Sequence, residues 1–185
     1  MTDSLFLSLA ALEAGLPHIL QSPKNDGPVV MICRRPRVDA REVLKEGTLD
    51  LILGLRGDSW KPRGNHHTPD GSADPDKQLT VMNSRVVALI AQQKERWSLA
   101  GDQIFVDLDL SFDNLPEGSR LRVGSALIEV TPPPHNGCKK FAARFGVEAT
   151  EFISRPQGKR LRMRGLNAKV VEPGVFRVGD FARIV

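Results

Sequence analysis

Residues 128–146 read IEVTPPPHNGCKKFAARFG, an apolar segment that passes through three prolines to a single cysteine and a basic, amphipathic segment. Proline fixes φ and has no N–H to give to a sheet, so we expect a strand that ends near Thr131. Gly137 then allows a tight turn, and Cys138 falls where the next helix should begin. The residues of that helix expected to face the core, because they recur at helical spacing, are Phe141, Phe145, Ala149 and Phe152.

Cys138 has two features that favour the thiolate form of a cysteine, a helix N-terminus and the neighbouring Lys139 and Lys140. A thiolate at this place would bind a soft metal or attack an electrophile. The alternative is a small buried residue, which is the commonest role of an unpaired cysteine. We favour that buried role for Cys33, which ends an apolar run, and we do not expect a disulfide between the two.

The 185 residues, with 13 prolines and 16 glycines, suit one domain of short strands joined by many turns. We expect a mainly β fold of the α+β type, a closed or nearly closed antiparallel β-barrel with three helices packed outside. The domain should span residues 1–185, and residues 1–28 should form a helix and a loop that pack on it. That helix is expected over residues 3–14, with Asp3 or Ser4 at its start.

Charge is distributed unevenly along the chain. Residues 120–185 contain 13 Lys or Arg and five Asp or Glu, a net charge of +8; because the whole chain has +4, the rest has −4. A basic region around a cysteine indicates an anionic small-molecule ligand, such as a phosphate-bearing cofactor. Few aromatic residues and no recognised binding motif accompany it, so we do not expect a nucleic-acid partner.

The sequence also predicts where the protein works. No apolar stretch approaches the length of a membrane span, so we expect no membrane association. The N-terminus lacks the basic segment of a signal peptide, and two cysteines cannot form a disulfide framework. We therefore expect a cytoplasmic protein.

Residues 59–78 form a long polar segment that includes His66, His67 and three aspartates. Segments of this length without secondary structure are often functional or mobile. The histidines and aspartates are suitable ligands for a divalent metal ion, but adjacent histidines point in different directions on most backbones. We favour a loop without a metal site and keep the metal site as the alternative.

Arg160, Arg162 and Arg164 alternate in the sequence and would place three guanidinium groups on one face of an expected strand. A face turned towards Cys138 would bind an anion, because guanidinium pairs bidentately with phosphate. A face turned outward would be a solvated sheet edge. Both orientations remain open at this point.

Two further segments have clear local patterns. Residues 104–112 alternate between apolar and polar side chains, which predicts a half-exposed strand with its aspartates on a solvated face. Asn83 or Ser84 should begin a helix that runs to about Glu95, since both are good N-cap residues.

Three segments, taken together and in this order, resemble the MOSC domain, the module named for the C-terminal part of molybdenum-cofactor sulfurases. They are GLRGDSW at residues 54–60 with a following histidine pair, LRVGSALIEVT at 121–131 with CKKFAARFG at 138–146, and RGLNA at 164–168 with VFRVGD at 175–180. The resemblance is best over residues 54–185. It implies a compact barrel of the MOSC and pyruvate-kinase type, a cysteine-lined pocket and a role in molybdenum-cofactor or sulfur chemistry.

For function, the resemblance implies a protein that binds molybdenum cofactor and reduces N-hydroxylated substrates. Cys138 would be the molybdenum ligand and the catalytic residue. Because the chain has no flavin or iron–sulfur motif, a separate electron-donor protein would be needed. The residues implied for cofactor binding are Lys139, Lys140, Arg144, Arg160, Arg162, Arg164, Asp58 and, at the pocket mouth, His67.

A second hypothesis is a non-catalytic carrier or binding module. In this case Cys138 would carry sulfur as a persulfide, taken from a sulfur-donor protein and passed to a metal–sulfur assembly. Pyridoxal phosphate, the cofactor of the sulfurase partner domain, is not expected, because no lysine motif for it is present. The sequence does not decide whether the protein is an enzyme, nor its oligomeric state.

Overall fold

The computed structural model describes residues 6–185. Eleven β-strands are present in this part of the chain, and most of them are short. The strands are β1 (Asp26–Arg34), β2 (Glu42–Leu44), β3 (Glu46–Asp50), β4 (Gly54–Leu55), β5 (Leu79–Asn83), β6 (Ile104–Val106), β7 (Arg120–Val123), β8 (Ala126–Pro134), β9 (Leu166–Glu172), β10 (Gly174–Arg177) and β11 (Phe181–Ile184).

Seven of these strands close into a β-barrel, as the sequence predicts. The order around the ring is β11, β7, β8, β9, β5, β6 and β1, and β1 pairs back to β11 through residues 26–28. Strand β2 adds to the other end of β1, while β10, β3 and β4 form a separate three-stranded sheet. Closure leaves the barrel strands without the long open edge that promotes aggregation.

One pair of barrel strands departs from the expected antiparallel arrangement, because β5 and β6 are parallel. The chain between them, residues 84–103, is largely helical and long enough to return to the same end of the sheet, as a parallel connection requires. Asn83 caps the first helix of this crossover through Arg85 N and Val86 N, which confirms the predicted cap. That helix ends at Ala91, however, and a 3-10 helix (Lys94–Ala100) follows.

The core has two parts, one inside the barrel and one between the barrel and the helices. Strand β6 contributes to both: Ile104 and Val106 point into the barrel, whereas Phe105 packs under the helices. Because both of its faces are covered, the prediction of a half-exposed strand over residues 104–112 is wrong. The strand stops at Val106, and Phe112 is exposed.

Seven α-helices are present in the described part of the chain, more than the three expected. Helix α1 begins at Leu9 behind a Ser8 cap, whereas Asp3 and Ser4 lie outside the described residues. The single helix expected after Cys138 is divided at Gly146, which has a φ of 93°. The helices are α1 (Leu9–Ala14), α2 (Leu16–Leu20), α3 (Trp60–Arg63), α4 (Ser84–Ala91), α5 (Lys139–Phe145), α6 (Val147–Ser154) and α7 (Pro156–Arg160).

Strand β8 continues to Pro134 and does not end near Thr131 as expected. Its pairing with β7 involves residues 126–129 only, so the prolines have a single neighbouring strand, β9. The register of that pairing is irregular between Val130 and Pro134. Prolines are tolerated here because their missing N–H groups face no second partner strand.

The predicted strand through Arg160, Arg162 and Arg164 is also wrong. Residues 156–160 form α7, which begins with proline, a residue favoured at the first turn of a helix. Residues 161–164 form a turn in which Arg162 has a left-handed backbone with a φ of 46°. The three guanidinium groups therefore do not share a strand face.

Phe145 is expected to hold α5 against the barrel. It is 1% exposed and belongs to the core between the barrel and the helices, where its ring centroid lies 4.9 Å from that of Phe141 in the same helix. Phe145→Ala should lower the free energy of unfolding by about 3–5 kcal/mol, because the cavity left in a packed core is only partly refilled. Urea unfolding monitored by circular dichroism measures this change.

The matched control is Phe181→Ala, since Phe181 is 47% exposed. Its substitution should change the free energy of unfolding by roughly 0.5 kcal/mol or less. Equal losses in the two variants would show that α5 is not anchored through Phe145.

Candidate functional site

Cys138 is exposed and lies directly before α5, at the N-cap position. Its place at the start of a helix confirms the prediction, and the alternative of a small buried residue is wrong for Cys138. Cys33 is fully buried, as expected, and both cysteines are free. The exposed thiol is therefore that of Cys138.

Cys138 lies in an open groove, the Cys138 groove, bounded by residues 35–41, α3, residues 100–101, the turn at residues 135–138 and α5. Of its 14 lining residues, all within the described part of the chain, seven are Arg or Lys and one is acidic. Such a concentration of cations attracts anions. The cations are Arg35, Arg37, Arg41, Arg63, Lys140, Arg144 and Arg164.

Arg35 is fixed in the groove by the buried carboxylate of Asp58. Asp58 accepts hydrogen bonds from Arg35 Nε at 2.9 Å, Arg35 Nη2 at 2.9 Å and the Arg35 backbone N–H at 2.8 Å. The backbone N–H of Trp60 donates to the same carboxylate at 2.9 Å, an Asx-turn bond within the GLRGDSW segment. Asp58 thus positions a groove cation, and its fully buried side chain does not itself line the groove.

Arg164 is fixed in the same way by Asp102, which is fully buried. Arg164 Nη1 donates to Asp102 Oδ2 at 2.6 Å, and Nη2 donates to the carbonyl of Ala100 at 2.9 Å. The Nε of Arg164 is buried without a hydrogen-bond partner. Burial raises the pKa of Asp102, and the nearby Arg164 guanidinium opposes that rise.

His135 lies three residues before Cys138 and also lines the groove. Its Nδ1 is 3.3 Å from Oδ1 of Asp102, and neither atom has another partner. Burial, together with Arg164 and Arg35, holds the pKa of His135 well below its usual range. The imidazole is therefore neutral at pH 7, with one nitrogen directed to a carboxylate.

Asp39 is the acidic residue of the groove, and it pairs with two cations of α5. Its Oδ1 accepts hydrogen bonds from Lys140 Nζ at 2.8 Å and Arg144 Nη2 at 3.0 Å. The hydrogen bond and the charge of Lys140 lower the pKa of Asp39. Its side chain is 60% exposed, so an anionic ligand can displace it from these cations at little cost.

Three other cations of the groove, Arg37, Arg41 and Arg63, have no ion-pair partner among residues 6–185. Desolvation lowers the pKa of Arg41 and of Arg63, and neighbouring guanidinium groups lower both further. Even when the buried Asp58 and Asp102 are counted with Asp39, seven cations face three carboxylates in the described structure. The groove therefore keeps an excess of positive charge.

The sequence-predicted site residues fall into two groups. Lys140, Arg144 and Arg164 line the Cys138 groove. The other predicted residues are not among those that line it. These are Lys139, Arg160, Arg162, Asp58 and His67.

The reasons differ for each of these residues. Lys139 is exposed on another side of α5, and Arg160 pairs with Asp113 on the surface. Arg162 is buried beside a different cavity. His67 lines a neighbouring groove with Trp60, which shares Arg63 with the Cys138 groove. The histidine that lines the Cys138 groove itself is His135.

Several groove residues were missed by sequence reasoning. Arg35 and Arg37 flank Pro36 directly after β1, and that basic cluster is the signal that could have identified them. His135 follows the three prolines and precedes Cys138 in the same turn, which is an equally local signal. Arg41 and Arg63 carry no such signal, because only the fold brings them to Cys138.

The long segment over residues 59–78 is partly helical, with α3 and a 3-10 helix (Pro75–Lys77). His66 and His67 lie with ring centroids 3.9 Å apart. In the part of the chain that the structure describes, no group of three His, Cys, Asp or Glu side chains is placed to hold a metal ion. The metal-site alternative for this segment has no support.

Comparison with known proteins identifies the family of this chain. The family model of the MOSC domain matches residues 64–183, and the chain belongs to the MOSC domain family. No curated protein matches it. Within residues 6–185, no helix is long and apolar enough to cross a membrane.

Solved structures show the same fold at low sequence identity. The YuaD protein from Bacillus subtilis is 14% identical, with a TM-score of 0.63 over 86% of this chain and 95% of its own. YiiM from Escherichia coli is 21% identical, with a TM-score of 0.55 over 86% of this chain and 69% of its own. YiiM from Geobacillus stearothermophilus is 16% identical, with a TM-score of 0.59 over 86% and 75% of the two chains.

The two cysteines should react very differently in the folded protein. Iodoacetamide should alkylate the exposed Cys138 and leave Cys33 unmodified, because Cys33 is fully buried and burial raises its pKa to about 11. Mass spectrometry of tryptic peptides measures both sites. In urea both cysteines should be modified, and comparable labelling of Cys33 in native buffer would contradict this placement.

Loss of the Asp58 carboxylate should destabilise the protein strongly. Asp58→Ala leaves the largely buried Arg35 guanidinium without its partner, and we expect a loss of roughly 3–5 kcal/mol in urea unfolding. The matched control is Asp113→Ala, since Asp113 pairs with Arg160 at the surface and its removal should cost below about 1 kcal/mol. Similar losses for both variants would show that Asp58 is not a structural anchor for Arg35.

Proposed function

We propose that this MOSC protein binds molybdenum cofactor in the Cys138 groove and, with the cofactor bound, reduces N-hydroxylated substrates. The observation that carries the proposal is the position of an exposed thiol inside a groove with seven cations. A thiolate is a soft donor suited to molybdenum, and the cations suit the phosphate of a pterin cofactor. The residues present therefore fit the cofactor that the family is associated with.

The chain supplies a single soft ligand and a set of cations of two kinds. Arg35 and Arg164 are held rigidly by buried carboxylates, so their guanidinium groups have fixed positions in the lining of the groove. Lys140 and Arg144 can exchange Asp39 for a phosphate, because that carboxylate is exposed. Binding thus needs little rearrangement of the fold.

When bound, the cofactor brings its own sulfur ligands to the metal and exchanges electrons in pairs, so one protein ligand is sufficient. Cys138 would hold the metal at the mouth of the groove. His135, neutral and directed at Asp102, would place an imidazole beside the same turn without adding positive charge. Electrons would come from a separate donor protein, and the openness of the groove leaves room for one.

The exposure of Cys138 favours a second candidate function, sulfur carriage. The Cys138 thiolate would attack the outer sulfur of a donor protein's persulfide, form a persulfide on Cys138 and release the donor's cysteine as thiolate. The balance needs no metal and no oxidant, since the donor persulfide supplies the sulfur already at the required oxidation level. Cations around the groove would stabilise the anionic persulfide.

Molybdenum content per chain tests the first proposal. The protein should be purified from a host that makes molybdenum cofactor, and metal should be measured by elemental analysis and pterin by its fluorescence after oxidation. We expect near-stoichiometric molybdenum and pterin for the unmodified protein, and loss of molybdenum for Cys138→Ala because the metal ligand is removed. Lys140→Ala should bind less pterin, since Lys140 lines the groove.

The matched control for Lys140→Ala is Lys139→Ala, since Lys139 is exposed and does not line the groove. It should retain both metal and pterin. Folded protein without molybdenum or pterin, from a producing host, would overturn the proposal. Persulfide on Cys138, detected by mass spectrometry in the same samples, would then support sulfur carriage.

A further inference from the structure

A second cavity, here called the proline cavity, lies beside the Cys138 groove and shares His135 and Arg164 with it. Its volume is about 220 Å³, and its apolar walls include the three prolines of β8, Ile153 and Leu166. None of the described residues that line it is Asp or Glu, whereas Lys159, Arg162 and Arg164 are among them. The cavity therefore combines apolar walls with three cationic side chains.

Arg162 is the main source of that charge. The residue is 8% exposed, and its Nη1 donates to the backbone carbonyls of Leu110 and Leu115. No carboxylate among residues 6–185 forms an ion pair with it, and its Nε and Nη2 make no hydrogen bond within this part of the protein. The carboxylate of Glu117 interacts with this charge from a distance but forms no ion pair with it. A buried charge is ordinarily paired, so the edge of Arg162 beside the cavity is suited to an anionic partner.

The backbone of Arg162 supports the same conclusion. Its φ of 46° lies in the left-handed region, which residues other than glycine and asparagine rarely adopt. Strained backbone of this kind concentrates at ligand-binding positions. The guanidinium carbon also lies 3.8 Å from the centroid of the Phe112 ring, which fixes its orientation.

We propose that the proline cavity binds a small aromatic carboxylate, with the ring among the prolines and the carboxylate on Arg162. The free Nε and Nη2 of a guanidinium match the two oxygens of a carboxylate side by side. The size suits one substituted ring, since a protein cavity of about 150 Å³ is known to hold benzene. The proposal goes beyond the function proposed for the groove and needs neither metal nor Cys138.

Binding of 4-fluorobenzoate, followed by its fluorine NMR signal, tests the proposal. We expect a saturable shift with the unmodified protein, and binding at least about tenfold weaker for the uncharged 4-fluorobenzamide. Arg162→Gln should weaken benzoate binding by a similar factor, because it removes the anion partner. Circular dichroism establishes that this variant is folded.

Ser154→Trp provides an independent variant, because Ser154 is exposed at the end of α6 and lines the cavity, which the indole would fill. It should weaken binding at least about tenfold. Gln157→Trp is its matched control, an exposed residue of α7 that does not line the cavity, and it should bind within about twofold of the unmodified protein.

Arg37→Ala tests which of the two cavities holds the anion, because Arg37 lines the Cys138 groove and does not line the proline cavity. We expect unchanged benzoate binding in this variant. The proposal would be overturned if Arg37→Ala abolished benzoate binding or if benzoate and benzamide bound with equal affinity. It would also be overturned if Ser154→Trp and Gln157→Trp bound benzoate equally well. Absence of any saturable shift would overturn it as well.

Discussion

The buried carboxylate of Asp102 is the group on which the geometry of both cavities depends. It lies just before β6 and binds Arg164 at 2.6 Å, while His135 Nδ1 lies 3.3 Å away. Three separate segments therefore meet at one carboxylate: the end of the crossover, the proline turn and the turn at residues 162–165. Gly165 permits this meeting, because it has a φ of 99° and a Cβ there would lie 2.4 Å from the carbonyl of Val81.

This arrangement determines how charge is divided between the two cavities. Arg164 donates hydrogen bonds from Nη1 to Asp102 and from Nη2 to the carbonyl of Ala100. These bonds fix it in the wall that the two cavities share. A buried ion pair of this kind contributes little net stability compared with apolar side chains, but the loss of one partner is strongly destabilising. Its value to the protein is positional, since it holds a cation and a neutral histidine beside Cys138.

Local signals in the sequence predict local structure well here. The pattern around Cys138 predicts a strand, a turn and a helix that begins directly after the cysteine. In the same way, Asn83 predicts the start of helix α4. The regular spacing of Arg160, Arg162 and Arg164 is misleading, because Pro156 begins a helix and the left-handed Arg162 ends the regularity. Three arginines at alternate positions are too few to distinguish a strand from a turn.

Tertiary placement explains the remaining errors. The resemblance pointed to His67, whereas the fold brings His135 into the groove with Cys138. Residues 79–106 form a strand, a helical connection and a second strand, an order that is typical of a parallel pair. The expectation of an antiparallel barrel did not take this order into account. Arg41 and Arg63 enter the groove from loops and short elements whose positions no local pattern specifies.

The cationic groove also bears on stability. The pKa values of Arg41 and Arg63 are lowered by desolvation and by neighbouring guanidinium groups, so at neutral pH their charged forms are less favourable in the folded chain than in the unfolded one. The apolar core, including Ile104 and Phe105, must offset this cost. An anion that binds only the folded protein adds RT ln(1 + [L]/Kd) to its stability and relieves the same repulsion. A groove arranged in this way is most favourable when occupied, which is the physical reason to look for its ligand among anions.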